Sequence, residues 1–167
     1  MRKPKRQPRL SACGQYAILP LANGLEALID AEDIKKVAPH SWCCVPRWGG
    51  EFRACTRTKG KIVYLHRLLL DAPKGLEVDH INGCGLDNRR TNLRLATHSQ
   101  NLKNQRSAKR LYKGVEQRSK NSWTATIWID YKNIYIGSFR TPQLAALAYN
   151  QKATELHGEF ARLNEVY

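Results

Sequence analysis

Apolar and polar positions alternate in short runs along most of the chain and settle into one sustained helical period only near its end. YAILPLANG, from Tyr16, is followed by EALIDAEDIKKVAPHSWCC. There Ala27 to Ile29 predicts a short strand, Asp30 the cap of the helix that follows, and Pro39 its end. EFRACTRT, a Lys59-Gly60 turn and KIVYLHRLLL predict a hairpin whose second arm runs into a helical turn around His66 to Leu70. Leu76 to Ile81 reads as extended, Asn82-Gly83 as a tight turn, and Leu86 to Leu95 as a loop. Thr97 with Gln100 forms a capping-box pattern, which opens a helix carrying Asn101 in its first turn. Beyond Arg110, WTATIWID and KNIYIGSFR alternate around a turn at Tyr131 to Asn133. Thr141-Pro142 then starts a helix through LAALAYNQKATEL, and His157-Gly158 stops it. The last third is therefore a three-stranded sheet with one face covered by a helix and the other left to touch something.

Charge narrows what that partner is. Lysine and arginine total 28 against 14 acidic residues in 167, a formal charge of +14 spread along the chain. Dense backbone phosphate rewards distributed positive charge through counterion release, so nucleic acid is the leading partner and a membrane surface the weaker one. No apolar run is long enough to span a bilayer. The basic start MRKPKRQPRL is followed by Pro20, Asn23, Gly24 and Glu26 rather than an unbroken signal-type segment. A cytoplasmic or nucleoid-like location, with no signal peptide or membrane segment, is the expectation. The first ten residues hold five basic side chains and two prolines, and residues 1–15 read as a disordered basic arm, either lying along phosphate or merely solubilising. Cysteines at 13, 43, 44, 55 and 84 show no CxxC pair, which argues against a disulfide framework and a cysteine-built zinc site and for free thiols.

The stretch VDHINGCGLDNRRTNLRLATHSQN, 78–101, is where chemistry concentrates. From Asn88 to Arg110 there are seven basic residues and no acidic one. Asp79 and His80 are consecutive on a strand, so they point to opposite sides and serve two roles. A carboxylate is a hard oxygen ligand for magnesium, and a neutral imidazole is a base suited to activating water. Asp79 with Asn101 would make a sparse two-ligand site completed by water and substrate phosphate. Asn92 would hold His80 through one ring nitrogen, and Arg89, Arg90 and Arg94 would meet phosphate oxygens.

This stretch closely resembles the HNH endonuclease motif in its phage-encoded and intron-encoded homing form, including the NRRTNL core. The lead-in from EALIDAEDI through YLHRLLLDAPKGLEVDH is similar as well. The resemblance implies an α+β chain whose residues 16–106 form a nuclease domain of ββα-metal (His-Me finger) type behind a strand-rich lead-in. It makes Asp79 and Asn101 the metal ligands, His80 the general base and Asn92 its support. Asparagine replaces histidine at the last ligand position, which favours magnesium, or manganese, over zinc. His66 reads as an anchor of the strand–helix junction, and His98 lies beside the helix cap.

A basic linker at 107–111 leads to residues 112–167. There YKGV, the tryptophan of WTATI, IGSF, AALAYN and ARLN resemble the AP2 DNA-binding domain, a three-stranded antiparallel sheet packed on one helix. The resemblance implies that the sheet lies in a major groove. Arg118 and Trp123 take contact positions, Lys113, Lys120 and Lys132 add phosphate contacts, and Lys103 and Arg106 extend the basic track. Glu116 stands where the plant pattern has arginine. Strand alternation lets one of Trp123 and Trp128 serve the core and the other face out, and the sequence does not choose between them. The expectation is a metal-dependent DNA endonuclease acting on double-stranded DNA as a monomer or weak dimer, with no protein partner implied. The competing class is a non-catalytic DNA-binding regulator.

Overall fold

The structure is a computed structural model that describes residues 6–47, 50–106, 110–129 and 131–167. Residues 1–5 of the expected basic arm and 107–109 of the expected linker lie outside the described residues. The chain is mixed α and β and divides into two compact units, 1–98 and 99–167; the division falls N-terminal of the linker expected at 107–111.

The first unit opens with an antiparallel sheet of β1 (Arg9–Leu10), β2 (Tyr16–Pro20) and β3 (Glu26–Asp30), in that order. Alternation in β2 and β3 sends Ala17, Leu19, Ala27 and Ile29 into the core. Arg9 and Leu10, expected in a disordered arm, instead pair with Ile18 and Ala17, because the edge of β2 offers them a ladder. A 3-10 turn at Ala31–Asp33 leads into α1 (Ile34–Val37). Asp30 makes no side-chain cap there; its carboxylate accepts the backbone N–H of Arg90 at 2.6 Å.

A second sheet holds β4 (Cys43–Pro46), β5 (Phe52–Thr58) and β6 (Lys61–Tyr64), with β5 central. Lys59 and Gly60 turn the chain at φ 48° and 78°, the hairpin geometry their sequence implies. α2 (Leu65–Leu69) follows β6 directly and buries Leu65 and Leu69 beside Trp42, Ala54, Val37 and the apolar positions of β2 and β3. The five cysteines are free thiols, with the Cys43 and Cys55 sulfurs 3.6 Å apart across the β4–β5 pair.

β7 (Glu77–His80) pairs antiparallel with β8 (Leu93–Ala96), and α3 (His98–Asn104) begins one residue after Thr97 with Asn101 in its first turn. The loop expected to run to Leu95 thus ends early. Pairing with β7 satisfies backbone groups that would be unpaired beside buried Leu93 and Val78.

In the second unit β9 (Val115–Ser119), β10 (Ser122–Ile129) and β11 (Lys132–Phe139) form an antiparallel sheet with β10 central. β11 already begins at Lys132, so the turn lies one residue earlier than expected and Tyr131 takes φ 64°. α4 (Pro142–His157) starts as expected, with the Thr141 hydroxyl accepting the N–H of Leu144 at 3.2 Å. The helix packs through Ala145, Ala146, Tyr149 and Ala153 against Val115, Ala125 and Ile127, while Leu144 and Leu147 stay exposed. Small alanines let helix and sheet approach closely. At Gly114, φ 74°, a Cβ would stand 2.2 Å from the Tyr149 ring, so only glycine fits. No helix among the described residues is long and apolar enough to cross a membrane.

Candidate active site

β7 places Asp79 and His80 side by side in sequence and both deep in the first unit, with His80 only 2% exposed. Its ring meets His66 of α2 edge-on at 5.1 Å between centroids, and His66 in turn stacks on Tyr64 at 5.5 Å. Burial, then the Arg53 guanidinium, pushes the His80 imidazole down to about 4, against the raising effects of Asn88, Asp79 and Asp87. Burial, then His80 and Arg53, pushes His66 down to about 2. Both rings are therefore neutral at physiological pH.

The residues between β7 and β8 form a pinned polar loop. Asn82 closes an Asx turn by accepting the N–H of Cys84 at 2.8 Å, and its amide donates to Asp87 at 2.9 Å. Asn92 does not support His80 in the way expected: its Oδ1 accepts the N–H of Asn82 at 2.9 Å and its Nδ2 donates to the carbonyl of Asp87 at 2.8 Å. Asn92 is the buckle of the loop. Fully buried Asn88 is the side chain set against the imidazole, with Oδ1 3.3 Å from His80 Nε2 and Nδ2 directed at the carbonyl of Gly85. Asn88 and Asp87 were not singled out from sequence and Asn82 was read only as a turn residue, although the run DN beside INGCG, dense in turn formers, carried the signal.

Arginines expected to face phosphate are each held by a carboxylate. Arg89 Nε and Nη2 reach the two oxygens of Asp87, both at 2.8 Å. Arg90 donates to both oxygens of buried Asp33 at 3.0 and 2.7 Å and meets Glu32 at 3.1 Å. Arg94, opposite Asp79 in the β7–β8 register, donates Nε and Nη2 to Asp79 Oδ2 at 2.8 and 2.7 Å. In this structure these side chains fasten the loop to acidic neighbours. The acids follow from burial, since each would otherwise leave a carboxylate uncompensated.

Two segments of this sequence are similar to known proteins. Residues 71–103 match the family model described as HNH endonuclease. The chain is 36% identical over 105 residues to an uncharacterized HNH endonuclease of Acanthamoeba polyphaga mimivirus, covering 62% of this chain and 56% of that one. It is 32% identical over 94 residues to Protein 3.8 of Escherichia phage T7, covering 54% of this chain and 77% of that protein. Its C-terminal part is similar to plant factors, with 44% identity over 57 residues to an ethylene-responsive transcription factor of Arabidopsis thaliana, 32% of this chain and 31% of that protein. The chain therefore carries an HNH endonuclease segment followed by an AP2-like segment. It spans about half the length of the mimivirus relative and under a third of the plant one. No solved structure matches the chain.

The HNH segment offers a metal few donors. Among the described residues no group of three or more His, Cys, Asp or Glu side chains is placed to hold one. The Asp79 carboxylate and the Asn101 carboxamide are hard oxygen donors, the chemistry magnesium takes while keeping water and phosphate in its other positions. The Asp79 carboxylate is itself bonded by Arg94.

In the AP2-like segment the two tryptophans part company. Trp123 packs against the core, whereas Trp128 is 63% exposed, together with Tyr135 at 62%. Trp123, expected to contact DNA, is thus turned toward the core side; alternation from Ala125 and Ile127 puts Thr126 and Trp128 on the open face. Arg118 is exposed and meets Glu116 at 3.2 Å, and Glu116 also holds Arg110 at 3.3 Å. Lys120 and Lys132 are exposed, as is Arg106. Lys113 is half-buried, donating through Nζ to the carbonyl of Lys103, and burial followed by Arg162 pulls its ammonium down to about 8. Lys103 itself is partly buried in the last turn of α3.

Proposed function

We propose that the chain is a metal-dependent DNA endonuclease that hydrolyses phosphodiester bonds, with the AP2-like sheet supplying DNA contact and sequence preference. The observation that carries the reading is the placement of Asp79 and His80 on one strand inside the segment that matches HNH endonucleases, against a loop buckled by Asn92. His80 takes the proton of the attacking water, and Asn88 and His66 fix the plane of its ring. Asp79, with Asn101 as the second ligand the family implies, would hold a divalent cation, magnesium foremost, which supplies charge balance for the phosphoryl group. Trp128 and Tyr135 support the groove-facing role of the open sheet face, flanked by Arg118, Lys120 and Lys132. The viral relative is named an HNH endonuclease and the plant relative a transcription factor, and this supports the division.

Replacing His80 with alanine should lower the cleavage rate by at least about a hundredfold while DNA affinity stays within about twofold. Gel-based cleavage and binding on the same duplex measure both, and undiminished cleavage would remove His80 from the role. One observation favours a second reading, a DNA-binding regulator without turnover: the Asp79 carboxylate is already bonded by Arg94. That reading expects binding without any magnesium-dependent product.

A further inference from the structure

With Arg89, Arg90 and Arg94 spent on carboxylates, the group that meets an anion beside His80 has to come from elsewhere, and β5 supplies it. The side chain of Arg53 is partly buried, and its Nε has no hydrogen-bond partner among the described residues. His66 Nδ1, in a residue only 5% exposed, has none either. Buried donors and acceptors are almost always paired, and two unpaired nitrogens in one neighbourhood indicate a ligand that pairs them.

The register explains why they converge. Cys55 pairs with Tyr64 across β5 and β6, and Arg53 stands two residues before Cys55, so Arg53 and Tyr64 leave the same sheet face. Tyr64 stacks on His66, and His66 abuts His80. From the other side the pinned loop closes over β5 at Gly85. A Cβ there would lie 2.3 Å from the carbonyl oxygen of Phe52 and 3.2 Å from Arg53 Cγ, so only glycine lets the loop approach this strand. Proximity is also visible electrostatically. Burial first, and then Arg47, pulls the Arg53 guanidinium down, while Asp79 acts on it in the opposite sense. Arg53 itself disfavours protonation of both imidazoles.

The geometry points to an anion seat, built by Arg53 and His66 beside His80, that receives a nonbridging oxygen of a phosphodiester. This rests on the reading of His80 as the base acting at that phosphodiester. A guanidinium suits phosphate because its fork of N–H donors matches two oxygens at once. A carboxylate ligand is disfavoured by Asp79 and Asp87 nearby, whereas nucleic acid is the polyanion that the +14 chain attracts. Arg53 is then a catalytic residue that the sequence reading passed over, because EFRACTRT carries it as one basic residue in an ordinary alternating strand.

The test uses the full chain without metal, in EDTA, with inorganic phosphate titrated against chloride at constant ionic strength. Imidazole nitrogen NMR resonances of His66 and His80 are the readout. The wild type should show a saturable shift of both rings. Arg53→Met should weaken it by about tenfold or more, and Arg53→Lys, which keeps the charge but not the fork, should fall between. A short DNA duplex, still without metal, should move the same resonances. No saturable response in the wild type, an equal response in Arg53→Met with folding verified by its amide spectrum, or a response to inorganic phosphate but not to the duplex would each overturn the assignment. Failure of the reading of His80 as the base shows separately, as a His80→Ala protein that still cuts DNA.

Discussion

Single side chains in this protein divide into those that fasten and those that face a partner, and the two kinds are separable by experiment. Arg90 looked like a phosphate ligand in sequence, yet it satisfies both oxygens of buried Asp33 and carries its own N–H to Asp30. Arg90→Ala should destabilise the fold by about 1–3 kcal/mol, because Asp33 loses its charged partner, while DNA affinity measured below the unfolding temperature stays nearly constant. A large loss of affinity with unchanged denaturant midpoint would put Arg90 back on the phosphate. The tryptophans give the complementary case. Trp128→Ala should weaken DNA binding and leave the midpoint within about 0.5 kcal/mol, as expected for an exposed position. Trp123→Ala should instead lower stability by about 1–3 kcal/mol through lost packing. Fluorescence-anisotropy titration beside chemical denaturation reads both.

Elements were legible where their signals are local. The Lys59-Gly60 hairpin, the Thr141-Pro142 helix start and the helix after Thr97 lie where turn and cap residues put them. β8 was not legible from the residue pattern, because a four-residue strand inside a polar stretch shows its nature only through its partner, with Arg94 opposite Asp79. The fastening of the loop was hidden for the same reason: Arg90 and Asp33 are 57 residues apart, and no periodicity links them. The candidate base and its neighbouring acid were legible from residue type and order, whereas Asn88, His66 and Arg53 gain meaning only from the way β5, α2 and the loop surround His80. That packing also has a pH signature. His66 and His80 are buried neutral, at about 2 and about 4, against an ordinary 6.5. Below about pH 6.5 the unfolded chain binds protons that the fold refuses, so stability is fully present above that value and is lost as pH falls toward 4. Each ring contributes about 1.4 kcal/mol per pH unit in that window. The thermal midpoint of the first unit should drop by on the order of 10 °C between pH 7 and pH 5.5, and His66→Phe should roughly halve that slope. A flat midpoint by circular dichroism across this range would mean that the rings are not buried neutral.

At the scale of the whole molecule, a segment with the residues of an HNH endonuclease precedes a sheet with one open, aromatic face, and both sit in a chain of charge +14. In the proposed mechanism the charge would draw DNA in, the sheet would contact it, and the imidazole of His80 would work on the phosphate that Arg53 receives. Everything in that sequence depends on turnover. Supercoiled plasmid incubated with the full chain, with magnesium and with EDTA, beside His80→Ala, tests it most directly. The account expects nicked or linear product with magnesium only, and at least about a hundredfold less from His80→Ala. DNA retained on the protein with no product under either condition, or equal product from both proteins, would contradict it.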